Sequence, residues 1–176
     1  LDRRQQAHIF VDLCEALQHA HELGIQHRDL KPANIMVDAQ LRPRLLDFGI
    51  SGGDKGRGHF VGTPPYMAPE QQDPARPIDA RSDVYALGVI LYELLCGMAP
   101  SGEAPRLPVE IDRATPEPLQ RIALTAMEPD PARRYQSAAD MARDLRRYLA
   151  GRSVLARPSL YDTTLTMRTT PHLEAI

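Results

Sequence analysis

Cysteine is scarce in this chain: only Cys14 and Cys96 occur, and both sit inside apolar helical patterns. That placement argues against a disulfide or a metal pair and predicts small buried thiols in a reducing compartment. An excess of charge is also missing. With a formal net charge of -2 and a pI near 6.3, no general attraction to nucleic acid or to an anionic membrane is expected, so any anion must be met locally. Long hydrophobic runs are absent too. The most apolar stretch, VYALGVILYELL at 84–95, carries Glu93 and is too short to span a bilayer. No signal peptide opens the sequence, so a soluble, cytoplasmic piece without direct membrane contact is expected, while anchoring of a larger parent is left open. The six histidines have no zinc spacing and no internal repeat is visible. Residues 51–62 hold five glycines yet match neither G-x-G-x-x-G nor the phosphate-binding P-loop, which excludes them as a phosphate cradle. Lysine is rarest of the charged types: of 21 basic residues only Lys31 and Lys55 are lysine. A compact ammonium on a flexible stem suits a mobile phosphate better than a planar guanidinium does, so Lys31 points to a local reason.

What is present is enough for one ordinary domain: 176 residues, 43% hydrophobic and 25% charged. Ile9, Leu13, Ala16, Leu17 and Ala20 recur at helical spacing and stop at Gly24, predicting a helix that delivers the chain to HRDLKPAN at 27–34. Two short apolar runs, IMV at 35–37 and RLL at 44–46, flank DAQLRP and predict a small hairpin with Asn34 and Asp47 at its outer ends. A helix hydrophobic all round follows Asp83 and belongs at the centre of the domain. Two more are predicted near 116–128 and 137–149, the last capped at Ser137, and the five prolines of 97–118 predict irregular chain. Residues 151–176 are rich in hydroxyls, weakly periodic, and read as a linker or tail.

The chemistry concentrates in two motifs, HRDLKPAN and, thirteen residues after Asn34, LLDFGIS. Asn34 and Asp47 offer the hard oxygen ligands that suit Mg²⁺ on a nucleotide's phosphates, which leaves Asp29 free as an acceptor. Phosphoryl transfer needs a carboxylate for the hydroxyl proton, metal at the phosphates and a cation at the transferred group. Asp29, Asn34 with Asp47, and Lys31 supply that set. His27 is expected to pack beneath the loop rather than to move protons.

HRDLKPAN, DFG, GTPPYMAPE, RSDVYALGVILYELL and DPARRY stand in one order. In that order residues 1 to about 150 resemble the C-terminal lobe of the protein kinase superfamily, specifically the eukaryotic-like serine/threonine kinases common in bacteria. The resemblance implies a mainly α helical bundle with a small β-hairpin carrying the catalytic and metal-binding loops. It implies ATP with Mg²⁺ or Mn²⁺, protein substrates, Asp29 as catalytic base, Lys31 at the γ-phosphate, and Asn34 and Asp47 as metal ligands. Thr63 would brace Asp29 and Lys31, and Asp83 would hold the backbone of the catalytic loop. Glu70 would pair with Arg134, and lysine two places after Asp29 favours serine or threonine as acceptor.

Departures set further expectations. No glycine-rich loop, V-A-I-K lysine or partner glutamate precedes Leu1, so the nucleotide-clamping N-lobe is expected elsewhere on the same polypeptide, and the isolated chain is expected to be incomplete as an enzyme. The proline-dense segment after the central helix leaves substrate choice open. Between Asp47 and GTPPYMAPE the only hydroxyl is Ser51, so the mid-loop phosphate that the resemblance implies for Arg28 has no acceptor. Either the loop orders on its own, with Asp54 a solvated turn residue, or Asp54, the one carboxylate there, stands in for the phosphate. Competing classes are a pseudokinase-like scaffold, a small-molecule phosphotransferase and a regulatory interaction module. The first commonly loses one of the residues matching Asp29, Asn34 or Asp47, and the last has no use for this acidic set.

Overall fold

A computed structural model of the chain describes residues 1–48, 63–101 and 105–157. The first helix, α1, spans Arg3–Glu22 and starts at a capping box: Asp2 accepts from the Gln5 amide at 2.8 Å while the Gln5 side chain accepts from the Asp2 amide at 2.9 Å. Gly24, at φ 75°, turns the chain out of the helix in a left-handed conformation that glycine adopts without strain. Of the predicted stripe, Ile9, Leu13, Leu17 and Ala20 are buried but Ala16 is exposed. It sits at the stripe's edge, and Cys14, fully buried, fills the interior instead. Burial pushes the Cys14 thiol up to about 12, so it is an inert packing group, and Cys96 is likewise a free thiol, half-buried.

The hairpin pairs β1, Ile35–Val37, antiparallel with β2, Pro43–Leu45, in the register Ile35 to Leu45 and Val37 to Pro43. The second strand lies one residue earlier than its apolar pattern indicates. Arg44 faces solvent in the ladder, while the Leu46 amide leaves it to donate to the Asn34 carbonyl at 2.9 Å. That bond ties the two ends of the hairpin together. The turn is held by Asp38, which accepts from the amides of Gln40 and Arg42, both at 2.9 Å.

The central helix α2, Ala80–Cys96, begins three residues before Asp83, because Asp79 rather than Asp83 caps it and accepts from the Arg81 amide at 2.8 Å. Asp83 therefore lies within the first turn and points inward. As predicted, α2 is buried almost all round, from Ser82 to Leu95. It packs on α4, Glu117–Ala126, while α1 packs on α5, Ala138–Leu149, whose N-cap is Ser137. Gly88 makes the α2–α4 approach possible: a Cβ there would lie 2.7 Å from the Ala126 Cβ and 3.1 Å from the Ala123 carbonyl oxygen. The proline-dense 97–118 stretch is irregular where described except for α3, the single turn Pro108–Ile111, and its last two residues, which open α4. Residues 151–157 lie along α4 and α5, with Ala156 buried and its carbonyl accepting from Arg121 at 2.8 Å. Among the described residues the architecture is thus five helices and one two-stranded sheet, and no helix is long and apolar enough to cross a membrane.

Candidate active site

Helix α1 ends at a turn that leads into His27, which is fully buried. Its Nε2 lies 2.9 Å from the Leu46 carbonyl oxygen and its ring 5.0 Å from that of Phe48, so His27 fastens the loop to the far end of the hairpin. Asp83 holds the same loop from the other side. One carboxylate oxygen accepts from the His27 amide and the other from the Arg28 amide, each at 2.8 Å. A third group converges on it: His21 Nε2, from the last turn of α1, lies 2.8 Å from Oδ2. An ionised carboxylate only accepts, so this nitrogen carries the proton. Three donors are what allow a carboxylate 2% exposed to remain in the interior.

Between these anchors Arg28 takes φ 65°, a left-handed conformation unfavourable for a residue with a side chain. Asp29 follows. Its Oδ1 accepts from the Thr63 hydroxyl at 2.9 Å and its Oδ2 from Lys31 Nζ at 2.7 Å, while Lys31 also donates to Thr63 Oγ1 at 3.0 Å. The three polar groups close a triangle. Partial burial pushes the Asp29 carboxyl up, but the hydrogen bonds from Lys31 and Thr63 with the Lys31 charge outweigh it, and its pKa falls below the usual carboxylate value. Asp29 is therefore ionised at neutral pH, with lone pairs to spare on both oxygens.

Asn34 is buried at the mouth of the hairpin, and its Nδ2 donates to the Asp29 carbonyl at 2.8 Å. That bond fixes the amide and leaves Oδ1 with no donor among the described residues. Asp47, at φ 53°, is exposed and has no ion pair or hydrogen bond among them. An amide oxygen and a carboxylate that nothing else among the described residues engages suit Mg²⁺, which takes one or two protein oxygens and completes its shell with water and phosphate. Among the described residues no cluster of three or more His, Cys, Asp or Glu side chains forms an all-protein metal cage.

Below the site, Glu70 and Arg134 form a bidentate pair at 2.6 and 2.7 Å with side chains 3% and 0% exposed. Arg134 further donates to the Glu128 carbonyl at 2.6 Å and stacks 4.9 Å from the Tyr85 ring. Ser82 adds a bond to Glu70 at 2.7 Å. Burial pushes the Glu70 carboxyl up, yet Arg134 and Ser82 together hold it below the usual range.

The structure thus brings Asp29, Lys31, Thr63, Asn34 and Asp83 into one connected network and seats Glu70 with Arg134 beneath it. The Arg28 guanidinium is exposed and meets only Gln26, at 3.3 Å, among the described residues, and Asp54 lies outside them. Sequence reasoning missed His21, Ser82 and Gln71, as well as Tyr66, whose hydroxyl donates to Glu93 at 2.8 Å. Burial and then Glu93 push the Tyr66 phenol up to about 12, so it stays a donor. The one available signal was position, since Ser82 and Gln71 each adjoin a residue already singled out.

Comparison with known proteins agrees with this geometry. The family model described as protein kinase domain matches residues 1–164. A probable serine/threonine-protein kinase of Corynebacterium efficiens is 39% identical over 87% of this chain and 26% of its own length. Serine/threonine-protein kinase PknB of Mycolicibacterium smegmatis is 39% identical over 93% and 29%, and that of Mycobacterium tuberculosis 38% identical over 90% and 28%. The chain spans between a quarter and a third of the length of these relatives. With the match running through every motif of the site, this chain belongs to the protein kinase domain family and is related to the bacterial serine/threonine kinases of the PknB type.

Proposed function

We propose that the chain is the catalytic lobe of a protein serine/threonine kinase and transfers the ATP γ-phosphoryl group to hydroxyls of protein substrates. The observation that carries this reading is the Asp29–Lys31–Thr63 triangle beside an Asn34 whose amide is locked to the Asp29 backbone. Asp29, ionised and held on both oxygens, accepts the proton of the incoming serine or threonine hydroxyl. Lys31 neutralises charge at the transferred group, and Thr63 keeps its ammonium and the Asp29 carboxylate in register. Asn34 and Asp47 would hold Mg²⁺ or Mn²⁺, whose charge would offset that of the phosphate oxygens. Asp83 keeps the loop in shape from the core.

A nucleotide-clamping lobe on the same polypeptide completes the site in this reading. Met36 and Val37, 55% and 41% exposed on the hairpin next to Asn34, are the apolar surface that such a lobe and a nucleotide base would cover. The test joins this chain to that lobe and measures transfer to a protein substrate. Asp29→Asn is expected to lower turnover by at least about 100-fold, the usual reach of a general base, with nucleotide binding largely kept. Undiminished turnover would refute Asp29 as the base.

A further inference from the structure

Arg28 stands in a strained conformation one residue before Asp29, and strain of this kind persists only where both sides of the residue are held. Its amide is held by Asp83 at 2.8 Å. Its carbonyl is held by the side chain of Gln71, whose Nε2 donates to it at 2.9 Å. Resting on the kinase reading above, we propose that Gln71 is a positioning residue: it clamps the left-handed Arg28 peptide and so couples the 67–72 segment to the placement of the Asp29 carboxylate.

Three observations carry this. First, the amide of Gln71 is oriented by its own turn. Its backbone amide donates to the Ala68 carbonyl at 2.9 Å and its Oε1 accepts from the Ala68 amide at 2.9 Å, so the NH₂ group is the end left to meet Arg28. The flipped amide would set oxygen against oxygen and nitrogen against N–H, which fixes the assignment. Second, the neighbouring residue anchors the same turn elsewhere: Glu70 ties it to Arg134 and Ser82 in the core. Adjacent residues thus join the segment to two different partners, the helical core through Glu70 and the catalytic loop through Gln71. Third, the Gln71–Arg28 bond is solvent-exposed. An exposed neutral bond contributes little to global stability, so its loss is read in the local geometry of the loop rather than in unfolding.

The experiment uses the chain joined to its nucleotide-binding lobe and the variants Gln71→Glu and Gln71→Leu. Gln71→Glu keeps the acceptor for the Ala68 amide and replaces only the donor to Arg28, while Gln71→Leu removes both bonds. Both are expected to lower kcat about 10- to 100-fold, the scale of a small misplacement of reacting groups, with KM for ATP and for the protein substrate within about twofold and Tm unchanged. In isotope-labelled protein the Arg28 carbonyl ¹³C resonance should shift in each variant. A Gln71→Glu kcat within about twofold of wild type overturns the proposal. So does a kcat loss that follows a lowered Tm, or a KM change alone. A wild-type protein without transfer overturns the kinase reading instead, and the Arg28 resonance then judges the clamp by itself: an unmoved resonance overturns it.

Discussion

At the scale of single residues, the cost of each substitution follows from what the partner is left facing. Arg134 and Glu70 are both buried and are each other's charge partner, so removing one strands the other charge in the interior. Arg134→Ala should cost about 3–5 kcal/mol of stability in urea unfolding, far more than an exposed pair would. The pH dependence has a definite sign. Because Glu70 titrates lower in the folded chain than in the unfolded one, its contribution is present above the unfolded value, about 4.3, and is lost as pH falls through the folded value. The wild-type urea midpoint should therefore drop below about pH 4 more steeply than that of Glu70→Gln. A parallel pair of curves would show that the charge on Glu70 contributes nothing. For Asp29, Thr63→Val deletes one of two donors while burial remains, so the carboxyl pKa should rise. Titration of the Asp29 carboxyl carbon by NMR reads this directly, and a fall would contradict the triangle.

At the scale of elements, the α2–α4 contact is decided by one missing side chain. Gly→Ala in a helix interior normally gains about 1 kcal/mol in propensity. At Gly88 the added carbon would meet Ala126 Cβ at 2.7 Å and a backbone oxygen of α4, neither of which is the end of a flexible chain. The clash should win. Gly88→Ala is expected to destabilise by about 1–3 kcal/mol net, with α2 and α4 forced apart. Thermal unfolding checks it, and a raised Tm would mean that α4 gives way more easily than its packing indicates. Asp79 shows a different limit of reading at this scale: either aspartate of IDARSDV could cap α2, and inward placement of Asp83 depends on which one does.

At the scale of the molecule, the chain presents a triangle, the proposed metal ligands Asn34 and Asp47, and a helical base, while the hairpin's Met36 and Val37 remain open to solvent. A nucleotide held only from this side lacks the clamp that positions its phosphates, and positioning is most of phosphoryl-transfer catalysis. The isolated 176-residue chain is therefore expected to give no measurable radiolabel transfer to a basic protein substrate. Transfer by it that Asp29→Asn abolishes would sink the two-lobe account.

The sequence by itself determined the motif order, the helices and the identity of the acid, amide and cation in HRDLKPAN, because these depend on local spacing and residue chemistry. Periodicity places α1, α2, α4 and α5, with errors of only a few residues at the ends. The family resemblance already named Thr63 and Asp83 as restraints, but only the tertiary structure decided which atoms they hold, and it alone added His21, Ser82 and Gln71. Asp83 reaches the His27 and Arg28 amides across 56 and 55 positions, and Gln71 reaches the Arg28 carbonyl across 43. Nothing local marks His21, Ser82 or Gln71, since histidine, glutamine and serine at a helix end or in a turn are ordinary solvated residues until packing brings a polar group against them. The left-handed Arg28 is likewise invisible in the sequence. Its strain is unfavourable in any isolated segment and persists only because Asp83 and Gln71, on separate elements, hold both of its backbone polar groups.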